Sequence, residues 1–435
     1  MKLNVDGQLT IQDFLSQPFK IKTPVRLIEL FGGVGSQAMA LKELGVNFEH
    51  YRLVEFDKFP VASYNAIHGT DFEPLDIRKL KGQDLGIVET EKYTYFMTYS
   101  FPCQDLSVAG KQKGMTKGSN TRSGLLWEVE RLLNETENLP QVLLMENVPQ
   151  VHSKKNMPDF QMWLDFLKSK GYQSFYQDLN AKDYNVAQNR VRCICVSILG
   201  NKTYSFPISL PLEKQIEDYL EEKVDKKYYL KGKKVKKLVN EFISTGKILR
   251  NRQMIDLSIN SPQILSCANC ISARTDRGIS NRRAEGSGIL EVYMCRKDYA
   301  YSTNGTNVSG TIRASYYKNG ERNIIENIKN HKGYEGIIEI KEKKIDDKIL
   351  DECTFEYEDK DCIYHIRVRK LTPRECWRLM GFTDRDFNMA QEVNSNTQLY
   401  KQAGNSIVKN VLVAVMGQLF EGKENIYSLN LNLTK

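Results

Sequence analysis

The sequence predicts an α/β fold: a doubly wound, mostly parallel sheet domain carrying a smaller, mostly β or irregular insertion towards its C-terminal end. Three observations carry that prediction. Short apolar runs alternate with helix-period stretches across residues 25–199. A glycine-rich turn, Phe31-Gly32-Gly33-Val34-Gly35, closes the first apolar run and opens a helical pattern. From about residue 206 the texture becomes charged, then β-prone, before helical periodicity returns near the end. Strands that alternate with helices form a mostly parallel sheet with both faces covered.

Taken in order, Val25 to Phe31 (VRLIELF) reads as a strand and Gln37 to Leu44 as the helix after it. Tyr51 to Phe56 is a second strand, followed by a helix through about His68. The run Tyr93 to Ser100 stops at Pro102, and Gln141 to Glu146 and Val191 to Leu199 are further strands. Glu213 to Arg252 is highly charged and contains Lys231, Lys233, Lys234, Lys236 and Lys237. After Ser261 come short β-prone pieces punctuated by Gly, Asn and Ser. Two of them, Cys270 to Arg274 and Thr311 to Ser315, echo each other over too few residues to make a repeat. Helical periodicity returns at Thr372 to Met380 and Ser406 to Phe420. The expected division is therefore residues 1–205 plus 385–435 as one domain, with 206–384 inserted.

Composition bounds the function. A chain of 435 residues exceeds one ordinary domain, and 41% apolar residues suffice for real cores. No apolar stretch approaches the roughly 20 residues that span a bilayer. The opening Met1-Lys2-Leu3-Asn4 is too polar for a secretory signal, so a cytoplasmic location is expected. Nine cysteines at irregular spacing fit reduced thiols better than a disulfide framework. A net charge of +8 and a pI near 8.8 permit a polyanionic partner. Abundant Lys, Ile, Asn and Tyr suggest an A·T-rich bacterial or phage genome.

The glycine turn lets backbone bend tightly and approach a ligand. Glu55, at the end of the next strand, is placed to accept from a ribose hydroxyl pair, and Asp76 from an adenine amino group. The third glycine of a dinucleotide fingerprint is missing, with Ala38 in its place. From this stretch alone a nucleoside cofactor, a dinucleotide and a structural glycine turn all remain open.

Pro102-Cys103-Gln104 follows a strand end, where open α/β sheets place their ligand crevice. Cysteine is nucleophilic enough to add to an aromatic carbon near neutral pH, provided that an arginine or a helix N-terminus lowers its pKa. An arbitrary cysteine is more often a buried structural thiol. Two segments argue otherwise. Glu146-Asn147-Val148 ends an apolar strand at the same sheet edge, and Gln188-Asn189-Arg190-Val191-Arg192 sets two guanidinium groups just before another strand. Thiol, carboxyl and arginine pair together suit attack on a polarised ring.

With Arg369-x-Leu371-Thr372-Pro373-Arg374-Glu375 and Gly404-Asn405-Ser406, this ordered set resembles the C5-cytosine DNA methyltransferase family, of bacterial or phage type. The resemblance covers both ends of the chain and leaves the middle unassigned. It implies a Rossmann-like methyltransferase domain with an inserted target recognition domain. It also implies S-adenosylmethionine as methyl donor, converted to S-adenosylhomocysteine, and no metal. The cofactor residues would be Phe31, Gly33, Gly35, Glu55, Phe56, Asp76, Ile77, Pro102, Asn405 and Ser406. Cys103 would add to carbon 6 of a flipped-out cytosine, with Glu146 at ring nitrogen 3, Arg192 on the carbonyl oxygen and Arg190 beside it. Ser107 to Arg122 resembles the loop that closes over the flipped base.

Double-stranded DNA is the implied partner of a monomer, with no membrane association. A cognate restriction endonuclease would act independently. Transfer RNA cytosine is the rival substrate. A DNA-binding protein without catalysis leaves the thiol, glutamate and arginine unexplained, as does a dehydrogenase. In the middle, Lys226 to Lys237 is either a phosphate contact or a solvated helix face. Arg274, Arg277, Arg282, Arg283, Arg313 and Arg322 lie in loop-like surroundings suited to reading bases. Cys267-x-x-Cys270 lacks the second close pair a zinc site needs, and His152 sits in no ligand spacing.

Overall fold

The computed structural model describes residues 18–106, 114–119, 121–245, 252–260, 262–296, 351–359 and 362–424. Six strands form the main sheet: β1 (Val25–Leu30), β2 (Phe48–Val54), β3 (Thr94–Tyr99), β4 (Val142–Asn147), β5 (Tyr172–Asn180) and β6 (Val191–Leu199), in the order β2-β1-β3-β4-β6-β5. The pairs β1–β2, β1–β3 and β3–β4 are parallel, whereas β4–β6 and β6–β5 are antiparallel. Every residue of β3 and β4 is buried, as continuous apolar runs in the middle of a two-sided sheet require.

Alternate residues supply opposite layers. Leu27, Phe96, Leu144 and Val196 face one apolar core, and Ile28, Met97, Met145 and Cys195 the other. The first core takes in α1 (Ser36–Glu43) and α9 (Lys409–Gly417), which pack on each other, so the end of the chain returns to its beginning. The second takes in α3 (Leu126–Glu135) and α4 (Met157–Ser169) through Leu132 and Trp163. The helix α2 (Lys58–His68) starts where the Asp57 carboxylate accepts from the Phe59 amide at 3.1 Å, and stops at the left-handed Gly69.

Two features of this sheet matter for function. The chain leaves β1 in one direction for β2, whereas β3 lies on the other side, so the strand order reverses between β1 and β3. That reversal opens a crevice at the carboxyl ends of those strands. The glycine turn ends β1, and Cys103 lies four residues beyond the end of β3.

A second sheet has the order β7-β8-β10-β9, from β7 (Arg252–Asp256), β8 (Ser287–Arg296), β9 (Thr354–Asp359) and β10 (Cys362–Lys370). Strands β9 and β10 are antiparallel, pairing Tyr357 with Tyr364. Two compact units result. One takes the described residues within Met1–Leu230, Arg252–Ile289 and Arg369–Lys435, the other those within Lys231–Asn251 and Leu290–Val368. The inserted span expected from sequence, 206–384, is thus shared between them. In the second unit α5 (Lys233–Ser244) buries Val235, Leu238, Val239 and Phe242 while Lys233, Lys234, Lys236 and Lys237 stay exposed. The helices α6 (Pro373–Arg378), α7 (Asp384–Val393) and α8 (Asn396–Asn405) belong to the first. No helix among the described residues is long and apolar enough to cross a membrane.

Candidate active site

The turn after β1 is built on backbone that side chains resist. Gly33 and Gly35 have φ of 58° and 82°, and Phe31 itself lies in the left-handed region at 57°. At Gly32 a Cβ would lie 2.5 Å from Leu53 Cδ1, so the turn also needs close packing on β2. At Gly33 a Cβ would meet nothing within 4 Å: this part of the turn faces open space. Glu55 reaches across, accepting from the Gly33 amide at 3.2 Å and the Asp57 amide at 2.9 Å. Burial raises its pKa against those hydrogen bonds. The Phe56 ring beside it is 72% exposed, unusual for phenylalanine and suited to stacking on a flat ligand.

The Leu75 amide donates to the Glu55 carbonyl at 2.8 Å, bringing the following Asp76 to the same edge. The Asp76 carboxylate is occupied by Arg78, whose Nη2 lies 2.6 Å away and lowers its pKa. Ile77 is buried under this turn.

The loop after β3 is tied down on two sides. Asn147 Nδ2 donates to the Phe101 carbonyl at 3.0 Å, and Ser123 Oγ to the Pro102 carbonyl at 2.6 Å. Asn147 thus joins the Cys103 loop to the strand that carries Glu146. Glu146, 7% exposed at the end of β4, lies 3.1 Å from Arg192 Nε. Burial raises the Glu146 carboxyl above its usual range, opposed by Arg192 and then Arg190. Cys103 feels the same three groups. Burial pushes its thiol up, Arg192 pulls it down, Glu146 raises it and Arg190 lowers it, leaving it above the ordinary value. Sequence reasoning expected an arginine to lower this thiol; the arginine is there, but desolvation outweighs it.

Arg190 turns from the pocket into the backbone. Its Nη1 donates to the Ile271 carbonyl at 2.8 Å, and its Nη2 to the carbonyls of Gly404 and Ser406 at 3.1 and 2.6 Å. Gln188 bonds similarly, donating to the Leu379 carbonyl at 2.6 Å and accepting from the Ile271 amide at 3.0 Å. Residues 268–271, 379 and 404–406 are thereby gathered onto the segment that enters β6. Gly404 is glycine for a packing reason: a Cβ there would lie 2.2 Å from the Ala273 nitrogen. Asn405 is exposed, while Ser406 is buried with its hydroxyl bonded to the Gln402 carbonyl at 2.7 Å.

Two cysteines have surroundings that the sequence reading did not foresee. Cys270 and Cys267 do not share surroundings. Cys270 Sγ lies 3.4 Å from Arg190 Nη1 and 3.6 Å from Arg192 Nη2, whereas the charged neighbours of Cys267 are Lys182 and Asp183. Sequence gave no signal for Cys270 at the site. Also unforeseen, the fold brings ligand atoms of His152, Asp178 and Cys193 within 4.8 Å of one another. His152 and Asp178 already pair at 2.8 Å, and burial pushes the Cys193 thiol far up, so this donor set suits a metal poorly. Residues 107–113 of the expected closing loop, together with Arg313, Arg322 and the Thr311 to Ser315 echo, lie outside the described residues.

Solved structures share this fold. The Dnmt2 methyltransferase of S. pombe matches with a TM-score of 0.53 at 17% identity, over 93% of this chain and 99% of that one. The Entamoeba histolytica methyltransferase EhMeth matches with a TM-score of 0.56 at 16% identity, over 92% and 99%. Both share with this chain the α/β sheet fold described above. The model of the C-5 cytosine-specific DNA methylase family matches residues 25–421, and the chain belongs to that family of DNA methyltransferases. Among its relatives, the type II methyltransferase M2.ScrFI of Lactococcus lactis subsp. cremoris is 29% identical over 92% of this chain and 100% of its own length. The orphan methyltransferase M.SPRI of Bacillus phage SPR is 28% identical over 91% and 97%.

Proposed function

We propose that the chain methylates carbon 5 of a flipped-out cytosine in a specific duplex sequence, with Cys103 as covalent nucleophile and S-adenosylmethionine as donor. It would serve a restriction–modification system or stand alone as an orphan methylase. The observation that carries the reading is the coupling of three groups in one crevice: Arg192 paired with Glu146 at 3.1 Å, and Cys103 within the field of both.

The donor's fit rests on the left-handed glycine turn with its open face at Gly33, the Glu55 carboxylate across it and the exposed Phe56 ring. Phe31, Gly35, Asp76, Ile77, Pro102, Asn405 and Ser406 complete the cofactor residues. When bound, S-adenosylmethionine supplies an electrophilic methyl group. The chain's own residues do the rest. Cys103 sulfur, as thiolate, bonds carbon 6 of the cytosine, and the displaced electron pair makes carbon 5 nucleophilic. Glu146, whose pKa burial raises, donates to ring nitrogen 3 in its protonated form and stabilises the charge arriving there. Arg192 donates to the ring carbonyl oxygen, and Arg190 holds the backbone around it. With carbon 5 methylated, ring nitrogen 3 returns its proton to Glu146, a base takes the carbon 5 proton, and the C–H electron pair re-forms the ring double bond as the carbon 6–sulfur bond breaks to release the thiolate.

A duplex with 5-fluorocytosine at the target should trap a denaturation-resistant adduct on Cys103, since carbon 5 then has no proton to lose. Cys103→Ala should bind the duplex, form no adduct and transfer no methyl. Full turnover by that variant would refute the covalent scheme.

A further inference from the structure

Arg192 has three donor nitrogens and three partners. Nε meets Glu146, Nη1 donates to the Val191 carbonyl at 2.7 Å, and Nη2 points to Cys270 Sγ. A guanidinium held only at Nε and at its own neighbouring carbonyl can still swing at its far end. The sulfur closes that freedom. It is itself held firmly: the Ala268 amide donates to the Ala187 carbonyl at 2.9 Å, the Asn189 amide to the Ala268 carbonyl at 2.8 Å, and Ile271 is bound by Gln188 and Arg190. The same short segment runs on to Arg274, whose amide donates to Ser272 Oγ at 3.2 Å.

We propose that Cys270 is a positioning residue of the methyl-transfer site: its sulfur accepts from both Arg190 and Arg192 and fixes the plane of the Arg192 guanidinium against Glu146. This rests on the function proposed above. It also couples the segment leading to Arg274 and Arg277 to the catalytic pocket, so that a displacement of 268–271 reaches Glu146 through one side chain. The charged groups around the sulfur are Arg190, just before β6, and Arg192 on it. Glu146 from β4 and the Cys103 thiol after β3 act on the same Arg192. Burial alone would raise the Cys270 thiol, but the two arginines outweigh it and set it below the ordinary value.

The test compares full-length wild type, Cys270→Ala and Cys270→Ser. Losing a charge-assisted acceptor should lower kcat on the order of tenfold in Cys270→Ala. KM for the duplex and affinity for S-adenosylhomocysteine should stay put. Cys270→Ser, whose hydroxyl still accepts, should recover most of the loss. Wild-type kcat in Cys270→Ala would overturn the proposal. So would a parallel fall of melting temperature and cofactor affinity in both variants, the mark of a merely structural role.

A second arm needs no turnover. The ultraviolet thiolate absorbance of wild type minus that of Cys270→Ser should titrate below the roughly 8.5 of a free thiol. In an Arg192→Gln background the midpoint should rise. A midpoint at or above the free value overturns the proposal. A low midpoint in a wild type that methylates no duplex would sink the proposed function and leave the sulfur's link to the arginines standing.

Discussion

At the scale of single residues, two buried acids make opposite use of desolvation. Glu146 is raised by burial and is proposed to work protonated, so its contribution is lost as pH climbs through its raised pKa. Cys103 is also raised and works deprotonated, so its active fraction grows with pH up to its own raised pKa. Below the Glu146 pKa the rate should therefore climb with pH, then level off once each further gain in thiolate is cancelled by loss of the acid. In Glu146→Gln the acid no longer titrates, and the much smaller residual rate should keep climbing where the wild type levels off. Single-turnover rates across pH decide it; a variant that levels off at the wild-type pH would remove Glu146 from the protonation scheme.

Glu29, beneath the glycine turn, concerns stability. Burial pushes it up to about 8 although Tyr64 Oη donates to it at 2.5 Å. Between its ordinary value of 4.5 and about 8 the folded state holds a proton that the unfolded chain releases, so stability falls as pH rises through that window. Glu29→Gln should flatten this dependence in denaturant titrations, and an unchanged slope would show that another group is responsible.

Among the elements, the segment from Arg369 to Glu375 shows what a motif can hide. Arg369 Nη1 and Nη2 meet the Glu375 carboxylate at 2.8 and 2.9 Å, both side chains fully buried. The same carboxylate accepts from the amides of Thr372 and Glu221 at 2.8 and 3.0 Å, while Thr372 Oγ1 caps α6 by accepting from the Glu375 amide. The motif is therefore a clamp that starts a helix beside the site. Glu375→Gln removes the charged half of this fully buried pair and should cost roughly 3–5 kcal/mol. A denaturation midpoint within error of wild type would show that the clamp is not needed.

Legibility follows the same division. Strands β1, β3, β4 and β6 were readable because their apolar runs are buried on both faces. The edge strand β5 was not, since its mixture of aromatic and polar residues has only two buried positions. The placement of Glu55, Cys103 and Glu146 at or just past strand ends was readable because the apolar runs before them end there. Cys270 was not, because its contacts with Arg190 and Arg192 join residues 80 and 78 positions apart across an irregular segment. The helix α5 shows a third case. A solvated helix face was one of two readings of its lysines, and the buried Val235, Leu238, Val239 and Phe242 show the side opposite them.

For the whole molecule, the net charge of +8 places the protein among chains whose association with a polyanion is sensitive to salt. Duplex binding should weaken linearly in log K against log salt, each neutralised phosphate adding about 0.9 to the slope. The four exposed lysines of α5 either contribute to that slope or only solvate an amphipathic helix. The geometry favours solvation, because the exposed face also carries Asn240, Glu241 and Ser244, and a carboxylate on that face opposes close approach of phosphate. Replacing Lys233, Lys234, Lys236 and Lys237 with glutamine should therefore leave the slope unchanged while lowering affinity slightly through the loss of net charge. A slope that drops by about one for each replaced lysine would instead make α5 part of the phosphate footprint. Filter-binding titrations of both proteins on one cognate duplex at several salt concentrations distinguish the two outcomes, because long-range attraction changes the height of the line and a direct contact changes its gradient.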